Sequence, residues 1–157
     1  MSLKGMRKIY VASSWRNLAQ PAVVTALRCM GHEVYDFRNP RAGDNGFHWS
    51  EIDEGWQSWD GERYIQALQH PIAVAGFRSD FEAMRWADTF VLVQPCGRSA
   101  HLELGWACGQ GKTTIMLLGL GIIEPELMAK MCDHIVCGLG GLLELFELAL
   151  TTSEEEQ

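Results

Sequence analysis

Short apolar runs and longer amphipathic stretches alternate along this chain. Lys8–Ser13 (KIYVAS), Glu33–Phe37 (EVYDF), Thr89–Val93 (TFVLV) and Thr113–Leu118 (TTIMLL) are brief and rich in β-branched and aromatic residues. Runs of that length and composition read as buried strands. His134–Val136 is a shorter fifth candidate. Between the first two runs, Arg16–Met30 reads as a helix, with Pro21 near its beginning and Gly31 past its end. Glycine there suits the left-handed residue that closes a helix. Further helices are expected over Asp60–His70, Pro71–Trp86, Ala100–Gln110, Pro125–Met131 and Gly141–Leu150, with Pro71 breaking the first from the second.

A strand, a helix and a second strand with a short return open a parallel sheet. The pattern predicts an α/β fold: a doubly wound, flavodoxin-like or Rossmann-like sheet of about five parallel strands in a single domain, residues 1–150, followed by an acidic tail over 151–157. Ligand chemistry in such folds gathers at the C-terminal ends of the strands. Arg38–Asp60 breaks the pattern. It holds Asn39-Pro40, Gly43, Asn45-Gly46 and Gly55 together with Phe47, Trp49, Trp56 and Trp59. Its aromatics argue against disorder. The segment reads as a lid or subunit contact, or as a loop pinned by its own tryptophans.

Composition narrows the function. The chain has 157 residues, 47% of them hydrophobic, enough for a substantial core. It has no apolar run long enough to span a membrane, and the first five residues are short and polar for a signal peptide. The net charge of −7, with no basic run, excludes long nucleic acid as an expected partner but leaves room for a small anion held by one or two arginines. Five cysteines without CxxC spacing read as buried reduced thiols, which implies a cytoplasmic location. No metal is expected.

Gly111-Lys112-Thr113-Thr114 resembles the end of a phosphate loop. The loop requires G-x-x-x-x-G-K-[ST], and its first glycine would fall on Trp106. The order is also reversed. A phosphate loop runs from strand to helix, so that N–H groups face the phosphates; here a helix leads into a strand. Lys112 then reads as a solvated charge near a helix end.

The remaining unusual residue is Glu103, in the first turns of a helix that follows the third strand. Leu102, Leu104, Trp106 and Ala107 surround it in sequence. A carboxylate in such company either faces a cleft or stabilises a helix terminus. Asp80 lies in another predicted helix between Phe77, Phe81 and Met84, and Asp88 ends that helix or caps it.

"DFEAMRWADTFVLV" followed by "SAHLELGWACGQGK" resembles the nucleoside 2-deoxyribosyltransferase family, including its nucleotide N-glycosidase branch. "KIYVASSWRN" is similar to the family's first strand and loop, so the resemblance covers most of residues 8–118. It implies that Glu103 is the nucleophile, that Asp80 is an acid/base near sugar and base, and that Tyr10 orients the nucleophile through its hydroxyl. The chemistry is coherent: cleaving an N-glycosidic bond builds positive charge at the sugar C1′, which a carboxylate beneath it stabilises or traps.

The resemblance further implies a small-molecule nucleoside or nucleotide substrate, no cofactor, and a homodimer or higher homo-oligomer. Transferases of the family carry a second aspartate shortly before the nucleophile and an asparagine near the C-terminus. Gly97, Arg98 and Ser99 stand in the first zone here, and the chain ends TTSEEEQ. Both departures favour hydrolysis over base exchange. The glycosidase branch holds a 5′-phosphate with a serine in that zone and a Ser/Arg loop after the first strand. Ser13, Ser14 and Arg16, with Arg98 and Ser99, are the matching candidates, although helix capping accounts equally for the serines. His101 is either a base contact or a surface residue. The leading expectation is an N-glycosidase acting on a nucleoside 5′-monophosphate or nucleoside. The alternatives are 2-deoxyribosyl transfer, cleavage of a nicotinamide dinucleotide, and a nucleotide-binding or sensing module without turnover.

Overall fold

The computed structural model describes residue 3 and residues 5–151; the expected acidic tail lies outside the described residues from residue 152 onward. The elements are β1 (Lys8–Ala12), α1 (Gln20–Cys29), β2 (Glu33–Asp36), α2 (Gly61–Leu68), α3 (Pro71–Trp86), β3 (Thr89–Val93), α4 (Arg98–Gly109), β4 (Thr113–Leu118), β5 (His134–Cys137) and α5 (Gly138–Thr151). The strands form a five-stranded parallel sheet in the order β2-β1-β3-β4-β5. This is the α/β, flavodoxin-like arrangement that the hydrophobic pattern predicts.

The chain divides into two compact units. One comprises residues up to Tyr35 and from Trp86 onward; the other is Asp36–Arg85. In the first unit the central strands are buried on both faces. Side chains alternate across a strand, so Ile9 and Val11, Val91 and Val93, and Ile115 and Leu117 share one face. They pack with Val23, Val24 and Leu27 of α1 and Leu142 and Phe146 of α5. The opposite face carries Tyr10, Phe90, Leu92 and Met116. Helix α4 lies on β1, β3 and β4 and buries Ala100, Leu104 and Ala107, a stripe at helical spacing. Covering both faces explains why the strands read as continuous apolar runs.

Helix α1 begins at Gln20 and not at Arg16. A helix through Arg16 would need a donor at residue 21 for the Asn17 carbonyl, and proline has none. Pro21 instead occupies the first turn, where no donor is required. The close of α1 follows expectation: Gly31 adopts φ +87° while its N–H bonds the Arg28 carbonyl and that of His32 bonds Leu27. Helix α4 starts at Arg98, two residues before the predicted start, α5 starts at Gly138, and the predicted helix at Pro125–Met131 is a 3-10 turn over Leu127–Met131.

The second unit is organised by its aromatics. The Trp49 ring meets those of Phe47 at 4.7 Å, Trp59 at 5.6 Å and Tyr64 at 6.0 Å. Trp59 Nε1 donates to Asp53 at 2.8 Å, and the Arg63 guanidinium lies 5.0 Å from the Trp59 ring. That hydrogen bond, and a second from the Gly55 N–H, hold the Asp53 carboxyl below its ordinary pKa. Asp60 caps α2 by accepting from Arg63 N at 2.8 Å. On α3, Gly76 faces Phe47 so closely that a Cβ would come within 2.9 Å of the Phe47 side chain. The Arg38–Asp60 segment is thus pinned by its own tryptophans, within its own unit.

The expectation of uniformly buried thiols is corrected. Cys29 and Cys137 are exposed, while Cys96, Cys108 and Cys132 are half-buried. Cys29 closes an amphipathic helix, and β5 is an edge strand with alternating exposure, so neither position is covered on both sides. Among the described residues, no helix is long and apolar enough to cross a membrane.

Candidate active site

The chemistry-bearing residues of the first unit gather where β1 and β3 end. Strand pairing stops at Ala12 opposite Leu92. Beyond it, side chains replace the ladder. Ser13 Oγ donates to the Val93 carbonyl at 2.8 Å, and Asn17 Nδ2 donates to the carbonyls of Val93 and Pro95, both at 3.1 Å. Asn17 Oδ1 accepts from Ala19 N at 2.9 Å, which completes the buried amide's role. The β1–α1 loop is thereby stapled to the segment that leads into α4. Asn17 was not singled out in the sequence, although it stands inside the "SSWRN" stretch.

These bonds give the predicted binding residues distinct positions. The Ser13 hydroxyl is engaged with Val93. Ser14 accepts from Arg16 N at 3.2 Å, and the Arg16 side chain is exposed. None of the three is at the N-terminus of α1, because the helix begins later; its N-cap is Ala19, without a side-chain cap. Arg98 and Ser99 do occupy the first turn of α4 and are exposed.

Glu103 lies one turn further along α4 and is half-buried. Its charge reaches Cys96 in the β3–α4 loop. Burial pushes the Cys96 thiol up to about 12, with the carboxylates of Glu126 and Glu103 adding to the shift. A thiol held that high is a poor nucleophile.

His101, on the first turns of α4, is a polar hub. Its Nδ1 lies 2.9 Å from the Gly97 carbonyl and its Nε2 lies 2.9 Å from Glu126 Oε2. Cys96 Sγ stands 3.7 Å from Nδ1. Glu126 carried no sequence signal: it is 25 residues from His101 in the chain, and only folding of the loop after β4 brings it there.

Tyr10 is 1% exposed, its ring stacked on Tyr35 at 5.3 Å and Phe90 at 5.0 Å. It is a core residue whatever its hydroxyl does. Asp80 stands half-buried on α3 of the second unit. Asp88 immediately precedes β3 and binds the start of β1: Arg7 Nε meets its Oδ1 at 2.8 Å, Lys8 N donates to Oδ2 at 3.1 Å, and Thr89 Oγ1 donates to Oδ1 at 2.6 Å. Its role is to tie the starts of β1 and β3 together.

The turn that resembled a phosphate loop closes a helix. Gly111 adopts φ +68°, its N–H bonds the Cys108 carbonyl, and Lys112 N bonds that of Ala107 at 3.1 Å. Lys112 corrects the expectation of a solvated charge. Its ammonium donates to the Ala87 carbonyl and lies 5.6 Å from the Trp106 ring and 6.0 Å from Phe90. Desolvation there lowers its pKa, against the opposing pull of Asp88. The side chain folds back because its aliphatic stem gains cover while the charge keeps acceptor and π partners.

No protein-family model matches the chain, and no curated protein matches it. Among solved structures, the chain is similar to a 2-deoxyribosyltransferase from Bacillus psychrosaccharolyticus, with 20% identity, a TM-score of 0.54, and 81% of this chain and 83% of that one covered. A CMP N-glycosidase from Clostridium botulinum is also found, with 17% identity, a TM-score of 0.48, and 90% and 98% covered. At these identities the first likeness establishes a shared fold.

Proposed function

We propose that this chain is an enzyme of the N-glycosidic bond, acting on a nucleoside or nucleotide with Glu103 as nucleophile. The observation that carries the reading is Glu103 itself: a half-buried carboxylate on the helix that follows the central strand of a parallel sheet, beside a thiol too basic to compete. Its carboxylate attacks the sugar C1′, the C1′–N bond breaks, and the electron pair leaves with the base. A glycosyl ester on Glu103 is the intermediate. The leaving base takes a proton, a role the sequence resemblance assigns to Asp80. Attack by a second base on C1′ then frees Glu103 and gives a new nucleoside; attack by water gives free sugar.

Transfer to a base is the first reading, because the fold likeness is to a 2-deoxyribosyltransferase. Hydrolysis is the second, favoured by the absence of an acidic residue between Asp88 and Glu103. In this reading a 5′-phosphate is held by Arg16, Arg98 and the Ser14 and Ser99 hydroxyls, with Ser13 supporting the loop.

Incubating the protein with deoxynucleosides, nucleosides and 5′-monophosphates, with and without a free acceptor base, separates the outcomes by chromatography. A new nucleoside marks transfer; base and free sugar mark hydrolysis. Glu103→Gln is expected to lower base release about a thousandfold or more while leaving the circular dichroism spectrum unchanged. Retained turnover in that variant refutes the assignment.

A further inference from the structure

Two of the cysteines meet beside the start of β4. Cys108 lies in the last turn of α4, and Cys132 closes the 3-10 turn over Leu127–Met131. Thr114 of β4, 1% exposed, holds both segments. Cys108 Sγ donates to Thr114 Oγ1 at 3.7 Å. The same Oγ1 accepts at 3.1 Å from Asp133 N, the peptide N–H that follows Cys132. Asp133 closes the ring of bonds: its Oδ2 accepts from Thr114 N at 2.8 Å and from Thr114 Oγ1 at 3.2 Å. One hydroxyl thus seats residue 132 beside the residue 108 side chain. The two thiols are side-chain hydrogen-bond partners, and both are half-buried.

The surroundings suit a neutral sulfur and oppose a charged one. Burial pushes the Cys132 thiol up to about 12, and Cys108, Asp133 and Glu126 add to the shift. A disulfide carries neither proton nor charge, so it escapes each of these penalties. It also requires little motion. Two thiols in hydrogen-bond contact reach the bonded distance of about 2.05 Å by side-chain rotation, without backbone travel. The other cysteines are placed differently. Cys29 and Cys137 are exposed, and Cys96 Sγ stands 3.7 Å from His101 Nδ1.

We propose that Cys108 and Cys132 are a redox modification site, converted reversibly to an intramolecular disulfide by a small disulfide of the glutathione type. One protein sulfur attacks the small disulfide, forms a mixed disulfide and releases one small thiol. The second protein sulfur displaces the other small thiol and makes the Cys108–Cys132 bond. The protein pair gives up two electrons and two protons. The small disulfide takes up both and leaves as two thiols. The new bond fastens the segment that carries Glu126 to the helix that carries Glu103. Pairing is independent of what Glu103 does, and no turnover is needed to detect it.

The reduced protein is incubated with graded mixtures of oxidised and reduced glutathione, native and in urea. It is then quenched with an alkylating reagent and mapped by mass spectrometry. The native protein is expected to lose two free thiols and yield the Cys108–Cys132 cross-linked peptide. Excess reduced glutathione should restore both thiols. At one buffer ratio, the proportion of cross-linked to reduced pair should be at least about tenfold higher in the native protein than in urea, because the fold holds the sulfurs together. Cys108→Ser and Cys132→Ser should each abolish the cross-link and leave glutathione on the surviving thiol. Three results overturn the proposal, and none depends on a variant. Cys108 and Cys132 stay free or singly glutathionylated in the most oxidising mixture; Cys132 pairs with Cys96 or Cys137 instead; or the native yield is no higher than in urea.

Discussion

The staple between the β1–α1 loop and the end of β3 offers the sharpest quantitative test of this architecture. The Val93 carbonyl accepts from both Ser13 Oγ and Asn17 Nδ2. Removing either donor leaves the other in place. Ser13→Ala therefore loses one hydrogen bond without orphaning its acceptor, a cost of about 0.5–1.5 kcal/mol. Asn17→Ala deprives the Pro95 carbonyl and the Ala19 N–H of their side-chain partner as well, in a site where Asn17 is 4% exposed. The two vacated groups raise its cost to about 2–3 kcal/mol. In the double variant Val93 loses both donors at once. Burial then makes that carbonyl expensive, and the double variant should exceed the sum of the singles by about 1–2 kcal/mol. Urea unfolding of the four proteins measures the cycle, provided the denaturant slope stays constant so that the comparison reports stability alone. Additivity within about 0.5 kcal/mol, the scatter of independent sites, would refute the shared acceptor.

Two further outcomes follow from charge and burial. Lys112→Met should destabilise the fold by about 1 kcal/mol in urea, since it removes the bond to the Ala87 carbonyl and the cation over Trp106 and Phe90; an unchanged midpoint would show that the ammonium contributes nothing there. His32 is buried, accepts from Arg7 N at 3.2 Å and packs on Phe146, and burial followed by the charge of Arg7 lowers its pKa below 6.5. The unfolded chain then binds a proton that the native state refuses. Stability is therefore expected to fall as pH drops below about 6.5, by at most about 1.4 kcal/mol per pH unit from this group. His32→Asn should flatten that part of the profile in unfolding curves between neutrality and mild acid.

The strands and their order of appearance were legible because each central strand is buried on both faces, so the sequence there had to be almost wholly apolar. Thr89–Val93 and Thr113–Leu118 carry that signature along their whole length. Gly31 and Gly111 were legible for a different reason: a left-handed helix exit is a local backbone demand that glycine meets at no steric cost. The same locality allowed the phosphate loop to be rejected from glycine spacing and element order.

Glu103 could be picked out by its apolar neighbours in sequence, yet nothing in the chain's local chemistry announced Glu126. Their charges reach the same thiol only because folding brings the segment after β4 to the start of α4. Asn17 is similar. Its local signature was that of a residue inside a helix, and the carbonyls that capture it lie 76 and 78 residues away. Lys112 looked solvated because a lysine near a helix end usually is, and the acceptor that turns it inward lies 25 residues upstream. Sequence by itself determined the elements, since these obey periodicity and local backbone sterics. Only the tertiary structure decided which polar groups meet. A hydrogen bond or ion pair acts across a few ångströms of space and is indifferent to separation along the chain.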